Sequence, residues 1–211
     1  MQFDFAEISA KDRYKLMVST ILPRPIAWVV TQSAAGLVNA APYSFFNGVG
    51  GDPPLISISI EGRDNGLRKD TSVNIRESGQ FVVNLVSDAI AHDMVVTAID
   101  FAPDVSEVTE ARLTTTPSVL VKPPRIAESP VAFECELYQI VELPHCRDLV
   151  IGRILYMHVA DEAVQDAERC YIDTPKLDLV GRMHSGGWYS RTRDRFEIPR
   201  IPVAEWKRRA E

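Results

Sequence analysis

The chain has 211 residues, 45% hydrophobic and 25% charged, a balance that suits one globular domain with a sizeable core and excludes a disordered chain. A formal net charge of −6 argues against a nucleic-acid or anionic-membrane surface and leaves room only for a local basic pocket. No apolar run approaches the ~20 residues of a membrane helix. The start MQFDFAEIS lacks a signal-peptide pattern, so a cytoplasmic protein with no membrane contact is expected.

The first element expected is a short helix over residues 9–20, capped by Ser9, with Tyr14, Leu16 and Met17 turned inward and Pro23 and Pro25 beyond its end. Ile26, Trp28 and Val30 then alternate with Ala27, Val29 and Thr31, a strand apolar on both faces that needs cover inside a barrel or against a partner subunit. Ser33 to Gly36 turns the chain and Leu37 to Ala41 returns as a second strand. Pro42, which cannot donate a ladder hydrogen bond, is expected to end it and to leave Tyr43 to Gly51 irregular. Backbone of this kind, rich in small residues, can turn N–H and C=O groups toward a flat polar ligand, with Asn39, Ala40, Ala41 and Ser44 as candidates.

After Pro53-Pro54 a third strand sets Leu55, Ser57 and Ser59 on one face and Ile56, Ile58 and Ile60 on the other. Arg63, Arg68, Lys69 and Thr71 follow. Asp70 or Thr71 is expected to cap a helix through Val73 and Ile75 toward Gly79, and such a start beside cations and hydroxyls is a ready phosphate site.

Gln80 to Val86 reads as a strand with Phe81 and Val83 on one face. Asp88 is expected to cap a helix over Ala89 to Ile99 that packs Ile90, Met94 and Val95 and leaves His92 in solvent. Residues 100–130 read as a surface excursion with one short strand at Val119 to Val121. Val131 to Val141 is a strand whose Ala132, Glu134, Glu136 and Tyr138 face is expected to be wet. A turn at Pro144 to Asp148 leads to its hairpin mate, Leu149 to Val159. The stretch GRMHSGGWYSRTR reads as a loop, and a charged segment, Val203 to Glu211, ends the chain. Cys135, Cys146 and Cys170 have no pairing or metal spacing and are expected to be reduced, buried small hydrophobes. Many strands with few βαβ patterns predict a Greek-key antiparallel barrel: a single domain over 1–211, with the barrel at about 22–190 and a tail from 191.

Five ordered blocks, RPIAWVVT, NAAPYSFFN, PPLISISI, RKDTSVNI with QFVVNLV, and GRMHSGGWY, resemble the flavin reductase-like, FMN-binding split-barrel proteins over roughly residues 22–190. The resemblance implies noncovalent FMN at a homodimer interface. It implies Thr31, Asn39, Ala40, Ala41 and Ser44 at the ring and ribityl chain, and Ser57, Ser59, Arg63, Lys69, Asp70 and Thr71 at the ribityl and phosphate end. The match to the family's late Arg-x-x-Gly-Gly-x-x-Tyr pattern implies His184, Trp188 and Tyr189 stacking or donating near the flavin, whereas Arg24 and Trp28 are expected to be structural. Shorter flavin reductases carry an Asp-His pair before the strand that begins here at Leu149. This chain has His145, Cys146, Arg147 and Asp148 instead, so Arg147 and His145, with His184, are the candidates to meet a nicotinamide. Three functions follow: an NADH- or NADPH-dependent flavin reductase supplying an oxygenase or another acceptor, a non-enzymatic FMN electron carrier of flavoredoxin type, and a flavoprotein acting on a small organic substrate.

Overall fold

In the computed structural model, which describes residues 1–102 and 104–208, Ser9 caps helix α1 (Ala10–Thr20) by accepting the Asp12 N–H. Of this helix only Val18 is buried. Tyr14 and Met17 are exposed and Leu16 is half-buried, so the inward face expected of them is open.

Strands β1 (Ala27–Gln32), β2 (Val38–Tyr43), β3 (Phe46–Gly51) and β4 (Pro54–Ile60) precede α2 (Asp70–Ser78) and β5 (Gln80–Asn84). Then come α3 (Ala91–Val96), α4 (Glu107–Glu110), β6 (Thr115–Thr116), β7 (Arg125–Ile126) and the long hairpin β8 (Val131–Leu143) and β9 (Arg147–Val159). Seven of these strands form one antiparallel sheet in the order β2-β1-β5-β8-β9-β4-β3. Only Ser44 and Phe45 join β2 to β3, the two outermost strands, so the sheet curls until its edges meet. The Ser59 N–H donates to the Phe45 carbonyl, which extends the β3–β4 ladder into this connection.

The curl encloses Ala27, Val29, Ile56, Ile58, Phe81 and Cys135, with Ile75 of α2 packed among them. On the outer face, Trp28, Val30 and Val82 pack against Met94 of α3 and Val108 of α4. The second apolar face of β1 is therefore covered by the chain's own later residues and needs no partner subunit.

The strand register corrects the expected irregular stretch. Pro42 lies inside β2 opposite Trp28, and β3 follows at once. An edge strand tolerates proline because an N–H on its outer side has no ladder bond to lose, and β2 is such an edge.

Asp88 does not cap α3. It sits in a short 3₁₀ turn, Asp88–Ile90, and its carboxylate accepts from Arg191 and Arg193, while Val95 is exposed. His92 is exposed, as expected. Val119 to Val121 form no strand, because their N–H groups all donate to the Glu134 carboxylate. Glu134 is accordingly fully buried, with His158 Nε2 at 2.6 Å, and the face expected to be wet is covered there by the 100–130 excursion.

The turn after β8 is shorter than expected, since Arg147 and Asp148 already pair in β9. Short pairs complete the chain: β10 (Val164–Asp166) with β11 (Tyr171–Ile172), and β12 (Val180–Arg182) with β13 (Tyr189–Arg191). The second pair turns most of the expected GRMHSGGWYSRTR loop into a hairpin whose tip holds Gly186 and Gly187 at φ 83° and 82°. Cys135 is buried, but Cys146 is half-buried and Cys170 exposed; all three are free. Helix α5 (Val203–Arg208) lies in the charged tail, of which residues 209–211 fall outside the described residues. No helix among the described residues is long and apolar enough to cross a membrane.

Candidate functional site

Where the sheet edges meet, a cleft opens between the β2–β3 connection, the end of β4, the start of α2 and the segment after α3. It consists of two cavities of about 230 and 210 Å³ that share Pro42, Tyr43, Glu61 and Ala98. The first is walled by Ile26, Met94, Phe45 and Tyr189 and carries Ser44, Ser59, Arg147 and Arg182. The second is polar, with Asn39, Arg63, Lys69, Asp70 and Thr71.

The start of α2 differs from the expected cap. Lys69 is the N-cap residue and makes no side-chain cap bond. The backbone N–H groups of Asp70 and Thr71 have no acceptor among the described residues, which leaves the helix start open to an anion. Lys69 Nζ lies 3.6 Å from Glu61, a loose surface pair. Arg63 is already engaged, donating to Asp70 at 2.7 Å and to Asp100.

Behind the wall runs a buried polar network. Thr71 Oγ1 donates to Asn39 Oδ1 at 2.9 Å and accepts from the Tyr43 hydroxyl at 3.0 Å. Thr31 Oγ1 also donates to Asn39 and accepts from Asn74. Asn39 Nδ2 and the Ala40 N–H both donate to Glu107 of α4, at 2.8 and 3.1 Å. Burial pushes the Glu107 carboxyl above its ordinary value of 4.5, against the opposing effect of these bonds. The Tyr43 phenol is pushed up by burial as well. The network ties α2 to β2 and so fixes the cleft.

The fold thus brings Asn39, Ala41, Ser44, Ser59, Arg63, Lys69, Asp70, Thr71, Arg147 and Tyr189 to one cleft. Thr31 and Ala40 lie wholly buried behind it. Ser57, two residues before Ser59 on β4, pairs between Asn47 and Ile151 and does not reach the cleft. His145 lines a neighbouring cavity beyond Glu61. His184 is half-buried at the hairpin tip, bonded to the Ser185 carbonyl and against Trp188. Asp148 points to α2, not to the cleft.

Glu61 is a cleft residue the sequence reading missed, although a signal was present: it continues the Ser57, Ser59 alternation of β4, and it sits between Lys69 and Arg147, 3.7 Å from the latter. Tyr14, Met94 and Glu107 reach the site from distant segments, and no local spacing signals them. Trp28 donates to Thr97 and lies in the core, while Arg24 donates to the Val18, Ile21 and Met183 carbonyls and also to the Ser44 hydroxyl of the cleft at 3.3 Å. No cluster of metal-ligating side chains occurs among the described residues.

A model of the flavin reductase like domain matches residues 18–185. The chain belongs to the flavin reductase-like family. It shares 43% identity with YwrF of Bacillus subtilis, an uncharacterized protein, over 94% of this chain and 98% of that one. Among solved structures it is similar to Pseudomonas fluorescens 2-nitrobenzoate 2-nitroreductase NbaA, with 36% identity, 96% and 97% of the chains covered and a TM-score of 0.88. It is similar too to component B of nitrilotriacetate monooxygenase from Bacillus cereus, with 34% identity, 94% and 98% covered and a TM-score of 0.88. The fold is accordingly the mainly β, antiparallel split barrel of flavin reductase-like proteins.

Proposed function

We propose that the cleft holds FMN, that NADH or NADPH reduces it, and that the protein hands reduced flavin to an oxygenase or another acceptor, working as a homodimer. One observation carries this reading: in a chain of this family, a continuous cleft runs from the unbonded N–H groups that open α2 to the apolar and aromatic wall of Ile26, Met94 and Tyr189. The donor set fits the group. The α2 start and Lys69 suit a phosphate, the hydroxyls of Ser44 and Ser59 suit a polar chain, and the apolar wall suits a ring.

Bound FMN would supply acceptance and donation of a hydride, chemistry that needs no protein nucleophile. The chain's residues bind and orient. Lys69 and the Asp70 and Thr71 N–H groups hold the phosphate end, and the Asn39 to Phe45 backbone frames the ring. Arg147, held by Ser59 at 3.3 Å and by Glu61, stands at the mouth where a nucleotide approaches. His145 and His184 lie farther out, so of the three candidates Arg147 carries most of that role. The name of component B of nitrilotriacetate monooxygenase supports delivery to an oxygenase.

A second reading, favoured by the identity to 2-nitrobenzoate 2-nitroreductase over nearly the whole chain, is direct reduction of a small aromatic substrate on the same flavin. Fluorescence titration of the apo-protein tests the cofactor assignment. FMN is expected to bind more tightly than riboflavin, and equal binding of the two would remove the phosphate end from the account.

A further inference from the structure

We propose that a second cavity beside the cleft binds a small planar organic acid, a ring bearing a carboxylate, through Arg182. Its place in catalysis rests on the flavin reading above; the binding itself does not. The cavity, about 530 Å³, lies between α3 and the β12–β13 hairpin and meets the cleft at Ala98, Arg182 and Tyr189. That volume falls within the range of small-molecule sites. Ala91 and Val95 form one side, Val180 and Tyr189 the other, giving opposed apolar walls for a flat ring.

Arg182 supplies the charge. Its guanidinium lies over the Tyr189 ring, 4.8 Å from the centroid, and Nη1 donates to the Trp188 carbonyl at 3.2 Å. Among the described residues no carboxylate comes within ion-pair distance of it, whereas Arg191 on the same cavity is bridged to Asp88 at 2.7 Å and Arg147 in the cleft to Glu61. Nearby Arg24, bonded to backbone carbonyls and to the Ser44 hydroxyl, adds positive charge and no carboxylate; burial first, against an opposing effect of Tyr14, and then the Arg182 charge pull its guanidinium down from the ordinary value. A guanidinium held by stacking and one backbone bond keeps free donors in a fork that matches a carboxylate. A pyrophosphate is the poorer match, because the cavity offers one unpaired guanidinium and carries the Asp88 carboxylate in its wall.

Calorimetry of the purified holo-protein with benzoate, benzamide and nicotinamide mononucleotide tests this. Benzoate is expected to bind about tenfold or more tightly than its neutral analogue, as loss of a hydrogen bond to a charged group implies. Arg182→Gln should abolish that preference, and Arg182→Lys should keep part of it. Val95→Trp, which fills the cavity from an exposed position on α3, should weaken benzoate binding and leave FMN binding unchanged. Absence of benzoate binding, equal affinity for benzoate and benzamide, a preference that survives Arg182→Gln, or binding of the mononucleotide alone would each overturn the proposal. An FMN titration of the same wild-type sample keeps the two readings apart: failure there removes the cofactor assignment, and the benzoate comparison still decides this one.

Discussion

Lys69 and Thr71, two residues apart, sit in different surroundings. Lys69 Nζ is loosely paired at the surface, while the Thr71 hydroxyl is sealed between Asn39 and Tyr43. A phosphate at the α2 start therefore meets the lysine side chain and the Thr71 N–H, and not the threonine hydroxyl. Lys69→Ala should cost about 1 to 3 kcal/mol of FMN affinity and leave riboflavin affinity unchanged; titration with both flavins checks it, and equal losses would contradict the assignment. The cleft residues of 39–44 and 59–71 were legible because alternation and a helix start place them locally. The role of Asn39 as the junction of a buried hydrogen-bond network was not, because its partner Glu107 lies 68 residues away, in a stretch without periodicity.

Asp148 fastens the β8–β9 hairpin to α2. Its carboxylate, fully buried, accepts from Arg76 at 2.7 and 3.0 Å, from Arg68 at 3.2 Å and from Ser72. Burial alone would raise this carboxyl, but the bonds from Arg76 and Ser72 and the two positive charges outweigh it and hold the group below its ordinary value of 3.8. With the folded value depressed, the unfolded chain binds the proton first, so the stabilisation is complete above 3.8 and is lost as pH falls through the folded value. Asp148→Asn should cost about 2 to 4 kcal/mol near neutral pH, less than for a wholly buried pair because both arginines are about a third exposed. In urea denaturation across pH, the gap between wild type and variant should close in acid, and a constant gap would contradict the clamp. On the same strand Gly152 has no room for a Cβ, because the ring of Phe81 occupies that space. Gly152→Ala should destabilise by about 1 to 3 kcal/mol through overpacking, read as a lower urea midpoint with unchanged slope. The strands themselves were legible from alternation. This glycine contact was not, because it depends on which strands curl over one another.

At the scale of the molecule, one apolar strand signalled a barrel correctly but not what covers its outer face: α3, expected as a helix but not placed there, and the 100–130 excursion with α4, whose polar composition read as a surface excursion, do so. A homodimer is proposed instead from what the chain leaves open, namely Phe3, Phe5, Tyr14 and Met17 near the start and Phe196, Ile198 and Trp206 near the end, all exposed. Sedimentation should report roughly twice the 23.6 kDa chain mass, and a monomer that still binds FMN would show that the site is complete within one chain. The most direct test of the function is anaerobic reduction of the FMN-loaded protein. Excess NADH or NADPH should bleach the yellow flavin promptly, and free FMN should be turned over. If dithionite bleaches the protein while both nucleotides leave it yellow for many minutes, the reductase account is contradicted and an electron carrier takes its place.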